Sequence, residues 1–227
     1  MNLINKYAYP IILLVQVILF LIWWEWQDSR TAMDYEEAQA YNQQRQWTKQ
    51  PEYVHVPVNS TQDVLRHGIQ IDEHNGVAIY YNGDINYVSG RSKTADGYNL
   101  GLKYQCVEFV KRYYYQYMNH KMPDSFGHAR DFFSEGVPDG TYNSIRGLTQ
   151  YTNPSLSRPE LNDILVFEGD NENPFGHIAV VSKVFDDKIE LVQQNIGEKT
   201  RVHLKVKKFL DGWAVEDATI IGWLRRN

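Results

Sequence analysis

Apolar positions in the second half of the chain recur at intervals that predict secondary structure. Residues 106–120, CVEFVKRYYYQYMNH, place Val107, Val110, Tyr114 and Tyr117 along one helix face, as core packing requires. Short apolar runs typical of strands are GVAIYYNG (76–83), DILVFE (163–168), HIAVVSKVF (177–185), KIELVQQN (188–195) and ATIIGWL (218–224). One helix followed by a series of antiparallel strands predicts an α+β fold, with the helix packed on an antiparallel sheet.

A different pattern opens the chain. Residues 7–24, YAYPIILLVQVILFLIWW, contain one strongly polar residue, and a helix of that length covers roughly 27 Å, close to a bilayer core. The run ends in Trp-Trp-Glu-Trp, which is a poor cleavage site for a secretory signal. Lys6 precedes the run and favours a cytoplasmic N-terminus. We therefore predict a single transmembrane helix in the inner (cytoplasmic) membrane, with the rest of the chain periplasmic or extracytoplasmic.

Composition divides the chain into three parts. The anchor occupies residues 1–25, a stalk rich in Gln, Glu, Asp and Tyr occupies 26–75, and a globular domain occupies 76–227. The net charge is −5 and no long Lys/Arg run is present, which argues against a nucleic-acid partner. A single cysteine excludes an intrachain disulfide and a Cys-rich zinc site.

That cysteine is the candidate nucleophile. Cys106 follows a Gly-containing loop and begins the predicted helix, where the helix dipole lowers a thiol pKa. The unpaired backbone N–H groups of the first turn can stabilise an oxyanion. The structural alternative is a small buried core residue, which is common for free cysteine.

A nucleophilic thiol needs a base and a group that orients the base. His177 differs from the other histidines because it follows a glycine and begins an apolar strand. Gln193 and Asn195, two residues apart on the next strand, are candidates to orient its imidazole. A two-residue turn at Asp186-Asp187 sends His177 to the opposite face, so we predict an odd-length loop or a β-bulge between these strands.

Three segments together resemble a known family. KYQCVEFVKRYY, GHIAVVSKV with KIELVQQN, and TIIGWL resemble the amidase half of bifunctional glutathionylspermidine synthetase/amidases. That half belongs to the CHAP group of cysteine, histidine-dependent amidohydrolases/peptidases, which have a papain-like fold. The resemblance spans residues 76–224 and leaves out the synthetase half, for which the chain is too short.

The resemblance assigns roles by position. It implies Cys106 as the nucleophile and His177 as the general base, with Gln193 standing where that amidase has an acidic third member. Asn195 remains the alternative orienting residue. It also implies that Gln105 contributes its side chain at the oxyanion site. Lys111 replaces an arginine near the substrate, a change that weakens bidentate carboxylate recognition.

The implied reaction is amide hydrolysis through a Cys-thioester, which requires neither a metal nor a cofactor. An extracytoplasmic domain favours a peptidoglycan peptide or an N-acetylmuramoyl amide as substrate. The resemblance itself favours a small polyamine-peptide amide such as glutathionylspermidine. Two further alternatives are a non-catalytic, membrane-tethered CHAP binding domain, which the neutral Gln193 allows, and a toxin or secreted effector.

Overall fold

The computed structural model describes residues 66–227, and its secondary structure there is mostly β-sheet. One α-helix, α1 (Cys106–Gln116), and one 3-10 helix (Arg130–Phe132) lie within this range. The strands are β1 (Gln70–His74), β2 (Val77–Tyr80), β3 (Arg91–Lys93), β4 (Asn99–Leu102), β5 (Thr141–Asn143), β6 (Leu148–Thr152), β7 (Ile164–Phe167), β8 (His177–Val184), β9 (Lys188–Val192), β10 (Arg201–Phe209), β11 (Gly212–Val215) and β12 (Ile220–Arg225).

Eight of the strands form one antiparallel sheet. Its order is β11-β10-β9-β8-β7-β12-β6-β5, and two separate hairpins are made by β1 with β2 and by β3 with β4. The central strands β7 and β8 are buried on both faces, which explains why their sequences are nearly continuous apolar runs. The strands that begin with His177 and Lys188 in the sequence prediction are therefore confirmed as neighbours in this sheet.

Helix α1 covers one face of the sheet. Phe109, Val110, Tyr113 and Tyr114 are fully buried in the cluster that includes Ile178 of β8. Tyr117, which the helix spacing placed in the core, is 48% exposed instead. The buried face of the helix therefore includes Phe109 and Tyr113, which the sequence pattern had not placed in the core. A second cluster, which includes Leu165, Val181, Ile189 and Trp223, lies on the opposite face of the sheet.

The prediction of an α+β fold preceded by one transmembrane helix was wrong on fold class. The described residues are mostly β because seven strands form in segments to which the sequence pattern assigned no strand, namely β1, β3, β4, β5, β6, β10 and β11. Across residues 66–227, no helix combines the length and apolarity that a membrane span requires. The apolar run at residues 7–24, to which the anchor was assigned, lies outside the described residues.

The end of the segment assigned to the stalk takes part in the fold. β1 pairs with β2 through His74 and Val77, so residues 70–74 form a hairpin with the first strand of the predicted domain. Asp72 of β1 accepts hydrogen bonds from Arg201 Nε at 2.9 Å and from Thr200 Oγ1 at 2.7 Å. These contacts fasten the hairpin to the start of β10.

Candidate active site

Cys106 is the first residue of α1, and the backbone of the two preceding residues explains why the helix begins there. Tyr104 adopts φ 62°, a left-handed conformation that a bulky side chain rarely takes, and Gln105 returns to extended backbone as the N-cap. The Tyr104 ring packs on Gly68, where an added Cβ would lie 3.0 Å from the ring. This packing holds the sharp turn that places Cys106 at the helix N-terminus.

The Cys106 thiol is buried, with 7% of the residue exposed. Burial raises the pKa of the thiol to about 11, and backbone N–H groups of Ile178, Val107 and Cys106 itself oppose that rise. The sequence argument predicted a lowered pKa from the helix dipole. The structure shows the opposite direction, because removal of the thiolate from water outweighs the hydrogen bonds at the helix N-terminus.

His177 begins β8 at the same end of the sheet, one residue before the Ile178 N–H that faces the thiol. Gly176 precedes it with φ 69°, and a Cβ there would lie 2.5 Å from the Phe167 carbonyl oxygen. Glycine is therefore required for the strand to begin at His177. Burial lowers the pKa of the imidazole to about 4, and a hydrogen bond to Gln193 partly opposes this.

Gln193 is the residue that the structure brings to His177. His177 Nε2 lies 3.1 Å from Gln193 Oε1, and Gln193 Nε2 donates to the Lys199 carbonyl at 3.0 Å. The Lys199 contact fixes the amide so that its oxygen faces the imidazole, which must then donate from Nε2. In that tautomer the Nδ1 atom carries a free lone pair and can accept a proton.

A β-bulge sets this register. The pairing of β8 with β9 shifts between Val181 and Lys183, while Phe185 and Lys188 close a two-residue turn. The bulge that the sequence predicted is thus confirmed. It places His177 and Gln193 on one face of the sheet, since Val180 pairs with Val192 beyond the shift.

Asn195 lies away from His177 and binds Gln105 instead. Its Nδ2 donates to Gln105 Oε1 at 2.7 Å and to the Ile85 carbonyl at 3.0 Å, while its Oδ1 accepts from Asn82 at 2.8 Å. Gln105 Nε2 donates to the carbonyls of Ile85 and Tyr87 at 3.2 and 2.9 Å. Both N–H groups of the Gln105 amide are therefore engaged in holding the 82–87 loop, which corrects the expectation that this amide serves the oxyanion.

Lys111 lies within α1 and is buried, with 1% of the residue exposed. Its Nζ donates to the carbonyls of Asn99 and Ser125 and lies 5.0 Å from the centre of the Tyr98 ring. Burial lowers the pKa of this ammonium to about 8, and the neighbouring charges of Arg146 and Arg91 lower it further. The structure thus gives Lys111 a role in joining loops, in contrast to the substrate contact that the resemblance implied.

Sequence reasoning missed Gln194, which lies between the two candidate residues and is 2% exposed. Gln194 Nε2 donates to the Gln105 carbonyl and to Glu108 Oε2, both at 3.0 Å, and Gln194 Oε1 accepts the Tyr80 N–H at 2.8 Å. Glu108 also pairs with Arg112, whose Nε lies 2.7 Å from Glu108 Oε1. Gln194 therefore ties the end of β9 to the N-terminus of the helix that carries the thiol.

A buried thiol at a helix N-terminus, beside a strand that begins with histidine, defines a candidate cysteine hydrolase site. Residues 95–195, which contain both groups and Gln193, match the CHAP domain. This segment of the chain is therefore similar to CHAP domains.

Three curated proteins are similar to part of the chain. Trypanothione synthetase of Crithidia fasciculata is 25% identical over 52% of this chain and 18% of its own length. Glutathionylspermidine synthase of the same organism is 34% identical over 43% of this chain and 14% of its own length. The bifunctional glutathionylspermidine synthetase/amidase of Escherichia coli (strain K12) is 25% identical over 59% of this chain and 23% of its own length.

The chain thus spans less than a quarter of the length of these relatives. The predicted resemblance to glutathionylspermidine synthetase/amidases and to the CHAP group is confirmed. The similarity is therefore to the part of these relatives that matches residues 95–195 and their flanks.

Proposed function

We propose that the chain is a cysteine amidase that hydrolyses an amide bond through a thioester on Cys106. One observation carries the proposal: Gln193 bridges the His177 imidazole and the Lys199 carbonyl, with contacts of 3.1 and 3.0 Å. This arrangement leaves Nδ1 of His177 as the proton acceptor at the end of the sheet where the thiol lies. A domain that only binds has no need of an imidazole held in one tautomer beside a thiol.

The resting pair is a neutral thiol and a neutral imidazole, since the pKa of Cys106 is about 11 and that of His177 is about 4. As the sulfur attacks the carbonyl carbon, the thiol proton passes to His177 Nδ1. The oxyanion that forms is stabilised by first-turn N–H groups of α1. His177 then protonates the leaving amine as the C–N bond breaks, and the acyl group remains on sulfur as a thioester.

Deacylation returns the site to its starting state. His177 accepts a proton from water as the water oxygen attacks the thioester carbonyl, and the thiolate that leaves recovers this proton. Gln193 accepts the Nε2–H throughout and stabilises the transient imidazolium less than a carboxylate would. Every step uses groups of this chain and water.

The substrate we propose is an amide bond of a peptidoglycan peptide or the N-acetylmuramoyl amide. Its support, and that of an extracytoplasmic location, is the sequence pattern around residues 7–24. A polyamine-peptide amide is the second candidate, favoured by the similarity to the synthetase/amidase of Escherichia coli. The two substrates differ in charge, because wall peptides carry carboxylates and polyamines carry ammonium groups.

The test compares the full chain with its Cys106→Ala and His177→Ala variants, and with His203→Ala as a matched control on the exposed side of β10. Each is incubated with purified peptidoglycan and, separately, with glutathionylspermidine, and products are identified by mass spectrometry. We expect wall fragments from the unchanged chain and from His203→Ala only, with at least about a 1000-fold loss in the other two. Release of spermidine alone would select the second substrate, and no product from either would contradict the amidase proposal.

A further inference from the structure

A groove of about 810 Å³ runs along the side of α1 opposite the face that carries Cys106. It lies between the helix, strand β2 and the β3–β4 hairpin, and its helix wall includes Glu108, Arg112 and Tyr115. Positions 108, 112 and 115 point away from position 106 at the helical repeat of 3.6 residues. The groove is therefore separate from the thiol, although its rim at Lys103 reaches the loop just before Cys106.

The charge of this groove is positive. Arg91, Lys93 and Lys103 line it, and within residues 66–227 none of the three is ion-paired to a carboxylate. The carboxylate in the lining, that of Glu108, is occupied by Arg112 through contacts of 2.7 and 3.3 Å. Three uncompensated cations thus face one groove in a chain whose net charge is −5.

Tyrosine rings form part of its walls. Tyr80 and Tyr104 pack with ring centres 5.0 Å apart, and the Arg112 guanidinium lies 5.0 Å from the Tyr80 ring centre. Tyrosine faces pack against the carbon skeleton of a ligand, while Arg and Lys donate hydrogen bonds to its carboxylates. The combination suits a peptide with acidic groups and repels a polyamine.

We propose that this groove binds the carboxylate-bearing portion of an acidic peptide. The groove holds that portion along the outside of the catalytic helix, and the role of this peptide as substrate rests on the proposed amidase function. A peptide is favoured over nucleic acid because the cations are few and confined to one groove, in an acidic chain. The groove thereby favours wall peptides over polyamine amides as substrates of the site.

Binding is measured on the full chain as its Cys106→Ala variant, so that no turnover occurs. The probe is a short fluorescent peptide of alternating alanine and glutamate, and the matched peptide has glutamine in place of glutamate. We expect the glutamate peptide to bind at least about 10-fold more tightly, and to weaken several-fold between low and physiological salt. Lys93→Glu with Lys103→Glu lowers its affinity by about 10-fold or more, whereas Lys205→Glu on β10 leaves the affinity unchanged.

Three results would overturn the proposal. They are equal affinity for the two peptides, equal weakening by Lys205→Glu, and tighter binding of spermidine or of a single-stranded oligonucleotide than of the acidic peptide. The salt and glutamine comparisons use unaltered groove residues, so they hold even where a charge-reversed variant folds poorly. Acidic-peptide binding without hydrolysis of any substrate by the unchanged chain would retain the groove and reject the amidase.

Discussion

Two buried glutamines, Gln194 and Gln150, each make several side-chain hydrogen bonds in different parts of the structure. Gln150 is fully buried, its Nε2 donates to the carbonyls of Ser134 and Val137, and its Oε1 accepts from Ser134 N–H and Asn143 Nδ2. All its partners lie within 16 positions along the chain. Gln150 therefore closes a local loop.

Gln194 connects parts of the chain that are far apart in sequence. Its partners Tyr80, Gln105, Glu108 and Arg112 are 82 to 114 positions away. They include the N-cap of the helix that carries the thiol. The hydrogen bonds of Gln150 thus shape a loop, whereas those of Gln194 hold the end of β9 to β2 and to the N-terminus of the helix that carries Cys106.

The largest difference in kcat is expected between variants that each lack one of these two amides. Gln194→Leu should lower kcat by about 10–100-fold, because the helix N-terminus then shifts relative to the strand that carries Gln193. Both variants should lose about 2–4 kcal/mol of the free energy of unfolding. Gln150→Leu, however, should keep a kcat close to that of the unchanged protein. Thermal unfolding and steady-state kinetics on both variants check this, and equal kcat losses would erase the distinction between the two regions.

A smaller effect is expected from Gln193→Glu, which restores the acidic third member of the related amidases. The imidazole of His177, with a pKa of about 4, must be neutral to accept the thiol proton, so activity falls as the pH drops through that value. A carboxylate stabilises the imidazolium and raises this pKa, which moves the acid limb upward by about 1–2 pH units. The pH profile of kcat/KM measures the shift, with Gln150→Glu as control. An unmoved limb would mean that Gln193 does not contact the catalytic base in solution.

The smallest effect on turnover is expected at the other end of β9, in the cluster on the face of the sheet that α1 does not cover. Ile189 is fully buried in the second cluster, at the end of β9 away from Gln193. Ile189→Ala should lower the free energy of unfolding by about 2–5 kcal/mol while kcat per folded molecule is unchanged. Denaturant unfolding and kinetics below the unfolding transition test this, and a lower kcat would show that the site also depends on packing beneath it.

The sequence predicted those parts of the fold that have a single dominant period. α1 begins at Cys106, β7, β8 and β9 fall within their predicted segments, and β12 ends one residue beyond its own, because buried helices and strands are apolar at regular intervals. Strand β10, RVHLKVKKF, was missed although its apolar residues alternate, since charged residues fill the other positions. Because this strand was missed, the sequence analysis underestimated the share of β-structure in the fold.

The candidate site likewise contains residues that the sequence could suggest and contacts that it could not. Local sequence provided Cys106 and His177 as candidates and left Gln193 and Asn195 as alternatives, and the need to bring them to one face predicted an odd-length loop or a bulge. The partners of Gln194 and Asn195 could not be foreseen, because an amide side chain carries no periodic signal and its neighbours depend on tertiary packing. Burial also reversed the expected direction of the thiol pKa, a contribution that sequence position does not reveal.

The reach of the Gln194 contacts bears on how the protein folds. Closing loops of more than 80 residues costs chain entropy that local hairpins such as β3–β4 avoid, so such contacts form late. During refolding from denaturant, secondary structure should therefore return before the site can react. A chain truncated before residue 194 would contain the thiol and the histidine, yet it would lack the amide that joins their supports.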